Sequence, residues 1–358
     1  MAYINFNPKD NFNTTLYTGD GNTTKSVTGV GFQPDFCWIK KRDVVAQTHT
    51  LYDVVRGAGY AINTNEQSAQ QYQSTYGYLT SFDSDGYSLA KGTDPSRTNT
   101  SGTKYVSWNW KLGGTPVSNT VGSITSSVSA NTNTGVSILT YTGNGTDNAT
   151  IGHGLSRKPK FVMTKNLTTG GYDWLGHGYP TFDSSIFATS YNSLQINQHN
   201  GLQSHGSVAN TIGDSVITTN DAYFQNNESG ATHIMYCFSE TKGFSSMHFY
   251  RGNGNNSGAF CYTGFKPAFV LIKNMSDNDD GWIIIDSTRS VYNPTYNYLT
   301  AQGSSTEGGT DFPIDFYSNG FKIRGSDISY NQSGYAYFYM AFAEEPLVGT
   351  NNIPATAR

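Results

Sequence analysis

The chain has 358 residues, a formal net charge of −4 and only 13% charged residues, against 14% aromatics led by 25 Tyr and 20 Phe. An average globular domain is about 25% charged, so Asn, Ser, Thr, Gly and Tyr here stand where charge usually does. That excludes ordinary disorder, which is aromatic-poor and highly charged, an electrostatic nucleic-acid binder, which shows a basic face, and a membrane helix, which needs roughly 20 apolar residues in a row.

Length alone suggests two or three domains at roughly 150 residues each. The opening Met1-Ala-Tyr-Ile-Asn-Phe-Asn-Pro8 has neither the basic start nor the apolar core of a signal peptide, so the expected route is synthesis in a cytoplasm without secretory export. A first pattern then runs from Leu16-Tyr-Thr-Gly-Asp-Gly21 through Gly31-Phe-Gln-Pro-Asp-Phe-Cys-Trp-Ile-Lys40, and closes with Asn99-Thr-Ser-Gly102 before Tyr105-Val-Ser-Trp-Asn-Trp110. It recurs from Thr140-Tyr-Thr-Gly-Asn-Gly145 and Pro159-Lys-Phe-Val-Met-Thr-Lys165 to Asn227-Glu-Ser-Gly230 and His233-Ile-Met-Tyr-Cys-Phe238. A third copy runs from Phe249-Tyr-Arg-Gly-Asn-Gly254 and Gly264-Phe-Lys-Pro-Ala-Phe-Val-Leu-Ile-Lys273 to Asn331-Gln-Ser-Gly334 and Tyr337-Phe-Tyr-Met-Ala-Phe342. From the Pro of Pro-x-Phe to the closing glycine is 68, 71 and 67 residues, and from that glycine to the last aromatic is 8 in each copy. Repeats at such constant spacing mark successive structural units.

Within each copy, Val106, Trp108 and Trp110 alternate with Tyr105, Ser107 and Asn109, a period of two that predicts a strand burying one face. Pro-x-Phe-x-x-Ile-Lys predicts a second inner strand, with proline tolerated at its start. Asp85-Gly86 and Asn319-Gly320 predict hairpin turns, and no amphipathic helix of three turns is visible. Short strands with turn signals every 8–12 residues or so indicate sandwiches or related barrels. The fold class is therefore all-β, with three tandem β-sandwich-like modules over residues 16–112, 136–242 and 243–345. The Ser/Thr/Gly-rich stretch 113–135 is expected to be an exposed linker, or else to place Val121, Ile124 and Val128 on an edge strand, with the first module hinged on the other two.

Two copies carry an acidic–basic pair at a fixed offset: Asp53 and Arg56 lie 19 and 22 residues after Pro34, Asp286 and Arg289 the same distances after Pro267. Such a pair suits either a polar site for a ligand or neighbouring subunit, or an ion pair fixing a loop, and the structural reading is preferred. In the second copy Gly176, Tyr179 and Phe182-Asp183 fill that region without an arginine, so a catalytic pair would be dead there. Trp174 and Trp282 both fall 15 residues after their proline, which marks them as core or interface residues ahead of sugar platforms. The acidic run Asp277-Asn-Asp-Asp-Gly281 lacks the further ligands of a calcium loop and is expected to be a solvated hairpin loop. His153, His177, His199, His205 and His233 lack the ligand spacing of zinc and are expected to be metal-free loop histidines. Cys37, Cys237 and Cys261 are expected to be free buried thiols. No catalytic motif is present, so neither catalytic residues, cofactor nor metal is expected.

The segment Ile4-Asn-Phe-Asn-Pro-Lys-Asp-Asn-Phe-Asn-Thr14, the Tyr-Thr-Gly-x-Gly and Gly-Phe-x-Pro-x-Phe-x-x-Ile-Lys motifs, and the tail Leu347-Val-Gly-Thr-Asn-Asn-Ile-Pro-Ala-Thr-Ala-Arg358 resemble virion structural proteins of tailed bacteriophages, especially marine and cyanobacterial ones. The resemblance covers nearly the whole chain and carries no agreed catalytic residues. It implies a location on the virion, as a tail fibre, tail-associated protein or capsid decoration. Residues 1–15 would then be an N-terminal attachment segment and 346–358 a C-terminal tail. The implied partners are other virion proteins, further copies of the chain in a homo-oligomer, and a host surface glycan. Neither nucleic-acid binding nor membrane insertion is expected. A host-glycan or receptor binder and a tailspike-like depolymerase are the alternatives.

Overall fold

A computed structural model describes residues 4–72, 74–178, 192–204, 211–219, 224–348 and 354–356. Tyr179, Phe182, Asp183, His205 and much of the C-terminal tail lie outside them. The described residues are nearly all β, in six sheets that pair off as a large and a small sheet in each module. The helical exceptions among them are three short pieces, Pro8–Asp10, Phe224–Asn227 and Ile328–Asn331.

In the first module the large sheet runs Phe12–Thr18, Lys104–Trp110, Phe36–Lys41, His49–Asp53, Tyr60–Asn63, Gln71–Tyr72. In the third it runs Ser245–Arg251, Ala336–Pro346, Phe265–Asn274, Trp282–Asp286, Tyr298–Thr300. The second has the same central order, Val136–Thr142, Thr232–Phe238, Phe161–Asn166, Leu175–Gly178, Asn192–Gln195. Three-stranded small sheets face them, built on the hairpins Tyr78–Asp83/Gly86–Ala90, Thr211–Ile212/Val216–Thr219 and Ile314–Tyr317/Gly320–Ile323. Register matches as well: Phe36, Phe161 and Phe269 stand opposite Asp53, Gly178 and Asp286 respectively.

The closing strands differ from the one-sided burial expected of them. From Tyr105 to Trp110 every residue is buried, and Phe161–Asn166 and Trp282–Asp286 are buried throughout. The reason is that each large sheet has two dry faces. Its outer face packs on the module's own small sheet: Cys37, Ile39, Tyr52, Tyr105 and Leu89 in the first module, Val270, Ile272, Ile285, Phe316 and Tyr339 in the third. Its inner face joins a single core shared by all three modules, including Phe36, Trp38, Trp108 and Trp110, Phe161, Met163, Tyr236 and Phe238, and Phe269, Leu271, Met340 and Phe342. Rings touch around this core in cyclic order. Phe36 meets Tyr236 at 4.9 Å, Phe161 meets Phe338 at 4.7 Å, and Phe269 meets Trp108 at 5.7 Å between centroids.

The continuous core corrects the expected hinge, because rotating the first module would expose apolar surface on all three. The expected linker is also replaced. Val117–Asn119 and Ser126–Asn131 extend the second module's large sheet and include Val128, whereas Ile124 is buried in an isolated bridge to Ile151 and Val121 is exposed in a bend, so the edge-strand alternative holds for Val128 alone. The N-terminal segment is likewise no free appendage. Ile4 and Phe12 are core residues, and the Phe12 ring stacks on Phe342 at 5.2 Å. Cys37, Cys237 and Cys261 are free and buried.

The shared motifs have one local job in all copies. Asn99, Asn227 and Asn331 each accept a backbone N–H through Oδ1 at 3.0 Å, from Asp20, Asn144 and Asn253. Each also donates through Nδ2 to a carbonyl two residues on, of Asn22, Thr146 and Asn255. The asparagine thus knots the Gly-x-Gly loop to the start of the closing strand, the local turn chemistry such residues favour. A Cβ at Gly19, Gly143 or Gly252 would stand 2.1, 2.3 or 2.3 Å from a backbone oxygen across this knot, so no larger residue fits.

Candidate functional site at the module junctions

The two Asp–Arg pairs singled out in the sequence lie at the seams between modules. Asp53 and Arg56 are buried, with 2.7 Å between Oδ2 and Nε. The Asp53 Oδ1 accepts the N–H groups of Val55 and Arg56, and Arg56 Nη2 donates to the Leu51 carbonyl. Burial opposes the Arg56 charge, but the Asp53 carboxylate beside it prevails and raises its pKa. The same cage surrounds Asp286 and Arg289, with 2.5 Å between Oδ2 and Nε and Nη2 on the Ile284 carbonyl.

Each carboxylate also receives a donor from the next module. Tyr236 of the second module donates its hydroxyl to Asp53 at 2.8 Å, and Trp108 of the first donates its indole N–H to Asp286 at 3.0 Å. The Arg289 guanidinium lies 5.5 Å from the centre of the Trp108 ring, within cation–π range. Trp108, Tyr236 and Met340 occupy one register position, opposite Trp38, Met163 and Leu271. Where the carboxylate position holds Gly178, the residue at the donor position of the following module is Met340, which has no hydrogen to donate. Donor and acceptor are therefore present together or absent together. An isolated buried donor or carboxylate would be costly.

Trp174 and Trp282 are fully buried and serve the same seams. Trp174 Nε1 donates to the Asn63 carbonyl of the first module at 2.8 Å, and Trp282 Nε1 to the Gln195 carbonyl of the second at 2.9 Å. The equivalent position of the first module is His49. Its Nδ1 accepts from Trp38 Nε1 at 2.9 Å. Burial holds the His49 pKa well below the ordinary value.

A third layer of contacts comes from the lysine ending each Pro-x-Phe motif. Lys40, Lys165 and Lys273 are all at most 1% exposed. Lys165 Nζ donates to the carbonyls of Tyr172 and, at 3.0 Å, Gln67 of the first module. Lys273 Nζ donates to Asp280 and, at 2.8 Å, His199 of the second module. Lys40 reaches the third module indirectly, donating to the Gln47 carbonyl while the Gln47 N–H bonds Ser304. Burial pushes Lys40 and Lys165 down to about 8 and Lys273 down to about 7. The ring closes through Arg42, which pairs with Glu307 by both Nε and Nη2, and through Thr64, whose hydroxyl donates to the Ala301 carbonyl.

The lysines, Tyr236, Trp108 and His49 were not singled out by motif reasoning. The signal was present in the lysine, which stands six residues after the proline in every copy. The acidic run is not wholly solvated as expected: Asp280 is buried and accepts from Asn274 Nδ2 and Ser329 Oγ. His153 and His199 lie in loops as expected, whereas His177 and His233 stand in strands, and His153, His177 and His233 are buried. Among the described residues no group of three or more His, Cys, Asp or Glu is placed to hold a metal ion. No helix among them is long and apolar enough to cross a membrane.

A family model described as a domain of unknown function, DUF7483, matches residues 7–346. The chain belongs to the DUF7483 family. No curated protein and no solved structure matches it. The single DUF7483 match runs unbroken over all three modules and their seams.

Proposed function

We propose that this DUF7483 protein is a non-enzymatic structural protein of a tailed-phage virion, a tail-associated or capsid-surface component that presents its β modules outward. The supporting observation is where the repeated polar residues go. The Asp–Arg pairs, the three lysines and the three asparagines of the shared motifs are all spent on internal contacts. The result is a ring braced at every seam, with a surface poor in charge. A rigid, weakly charged platform suits contact with other virion proteins and with copies of itself, since such surfaces carry little mutual repulsion.

Purified particles test the reading. Peptide mass spectrometry should find the chain in banded virions at a fixed copy ratio to the major capsid protein, and antibody labelling should place it on the tail or shell. Its presence in the lysate with absence from banded particles would refute the proposal. Attachment through the N-terminal segment is not tested by deleting residues 1–14, because removing Ile4 and Phe12 opens the shared core. Exchanging the exposed Asn5 and Asp10 leaves that core intact and probes the same surface.

A further inference from the structure

The three modules contain equivalent strands, Phe12–Thr18, Val136–Thr142 and Ser245–Arg251, each ending just before the first glycine of its Gly-x-Gly loop. Each pairs with its module's closing strand along one edge. The opposite edges differ. In the second module that edge is covered, with Ser127, Ser129 and Asn131 standing opposite Thr140, Ile138 and Val136. In the third, Ser245 and Thr241 exchange backbone bonds of 2.9 and 3.3 Å at the start of the strand, which also carries the exposed His248 and Arg251. The first module has neither device. Its Gly19 N–H bonds the Thr103 carbonyl at 2.8 Å, and Asn11 accepts from Lys111 at 2.9 Å. Odd-numbered residues therefore face the closing strand, and Phe12, Thr14, Leu16 and Thr18 direct their N–H and C=O groups outward. Among the described residues no backbone group pairs with them on that side. The described residues before the strand run instead into the shared core, through Ile4. Leu16 is 38% exposed and Thr18 is exposed, while Thr14 is buried, where unpaired backbone groups are costly. Over its seven residues the strand holds no charged residue and no proline, the usual means of keeping an open edge from pairing.

We propose that Phe12–Thr18 pairs with the same strand of a second copy of the chain, antiparallel about a two-fold axis at Leu16, so that two large sheets become one. Each Leu16 then stands opposite the other, and Thr14 of one copy opposite Thr18 of its partner. The outward groups of these residues are satisfied in both copies by about six hydrogen bonds. On the other face Thr15 meets Tyr17 across the pair, a favourable β-branched and aromatic neighbour. Two features point to a second copy as the occupant. The second module shows that this edge geometry accepts an antiparallel strand in register. An isologous contact sets one strand against itself, which like charges would oppose and an uncharged strand permits. The inference names a surface for self-contact and stands without a virion location, because its test uses the isolated full-length protein.

Sedimentation of the purified protein between about 1 and 100 µM should show a monomer passing to a dimer. Leu16→Lys places a charge on the edge and should weaken dimerisation at least about tenfold. Thr18→Pro removes one outward N–H, leaves the bonds to the closing strand in place, and should weaken it by about the same factor. Circular-dichroism melts check that both variants fold; if Leu16→Lys does not, Thr18→Pro carries the test. Hydrogen exchange gives a second readout, since the amides of Thr14, Leu16 and Thr18 should slow about fivefold from the dilute to the concentrated sample. A monomer throughout the range overturns the proposal, as does a dimer that a folded variant leaves intact. Dimerisation without slower exchange at these three amides overturns the strand pairing.

Discussion

Tyr236→Phe isolates one contact of one seam. The phenol is fully buried, and its hydroxyl touches Asp53 Oδ2 at 2.8 Å and Arg56 Nη2 at 3.4 Å. Removing the oxygen changes little volume and admits no water. Hydrogen bonds to charged groups are worth about 1.5–3 kcal/mol. Asp53 Oδ2 keeps Arg56 Nε at 2.7 Å and its Oδ1 keeps two backbone N–H groups, so the carboxylate is weakened without being stranded. The expected loss is about 2 kcal/mol, a factor of about 30 in the folding equilibrium. Asp53→Ala should cost more, about 3–5 kcal/mol, because it leaves the Arg56 guanidinium buried and unpaired. Met340→Leu, at the equivalent position where no carboxylate faces the seam, should stay below about 1.5 kcal/mol as a volume-conserving swap. Urea unfolding followed by tryptophan fluorescence reads all three, since every one of the five tryptophans is buried. A double-mutant cycle of Tyr236→Phe with Asp53→Asn should show coupling above about 1 kcal/mol. A cost below about 0.5 kcal/mol for Tyr236→Phe, or simple additivity in the cycle, would refute the account of the seams.

Three further outcomes follow from the same contacts. Lys273 is pushed down to about 7 by burial, whereas a lysine in the unfolded chain titrates near about 10.4. Between those values the unfolded chain holds a proton the native chain has released, so this group adds stability as pH rises through that window and loses it as pH falls through 7. Relative to Lys273→Met, the wild-type urea midpoint should therefore rise between pH 7 and 9.5; parallel midpoints would contradict the lowered pKa of the buried amine. Gly252→Ala places a Cβ 2.3 Å from the Gln332 carbonyl oxygen and should prevent folding or cost more than about 3 kcal/mol. Gly29→Ala, with open space but a φ of +83°, should cost only about 1 kcal/mol, and circular-dichroism melts distinguish the two. Burial raises the thiol pKa of Cys37, and of Cys237 to about 12, so native protein should leave all three thiols unreacted with an aromatic disulfide reagent over hours. Titration of even one thiol within minutes would place it at the surface.

The order of strands and the turn chemistry were legible in the chain because both are local. Alternation along Tyr105–Trp110 marks a strand whatever it packs against, and Asn-x-Ser-Gly marks its own turn. Offsets were equally readable, which is why Asp53 and Asp286, or Trp174 and Trp282, stood out as equivalent. Period two says that two faces differ but not what covers each. Here the second face of every large sheet is buried by another module, a contact that no spacing within one module encodes. The same limit hid the lysines, because a charged residue at a strand end reads as solvated until a carbonyl from a neighbouring module is brought over it. Sequence by itself determined an all-β chain with its turns, its strand faces and its matched pairs of residues. Tertiary structure decided that those pairs are the two sides of closed seams, because burial of Asp53, Arg56 and Lys273 becomes tolerable only when the next module supplies the missing donor or acceptor.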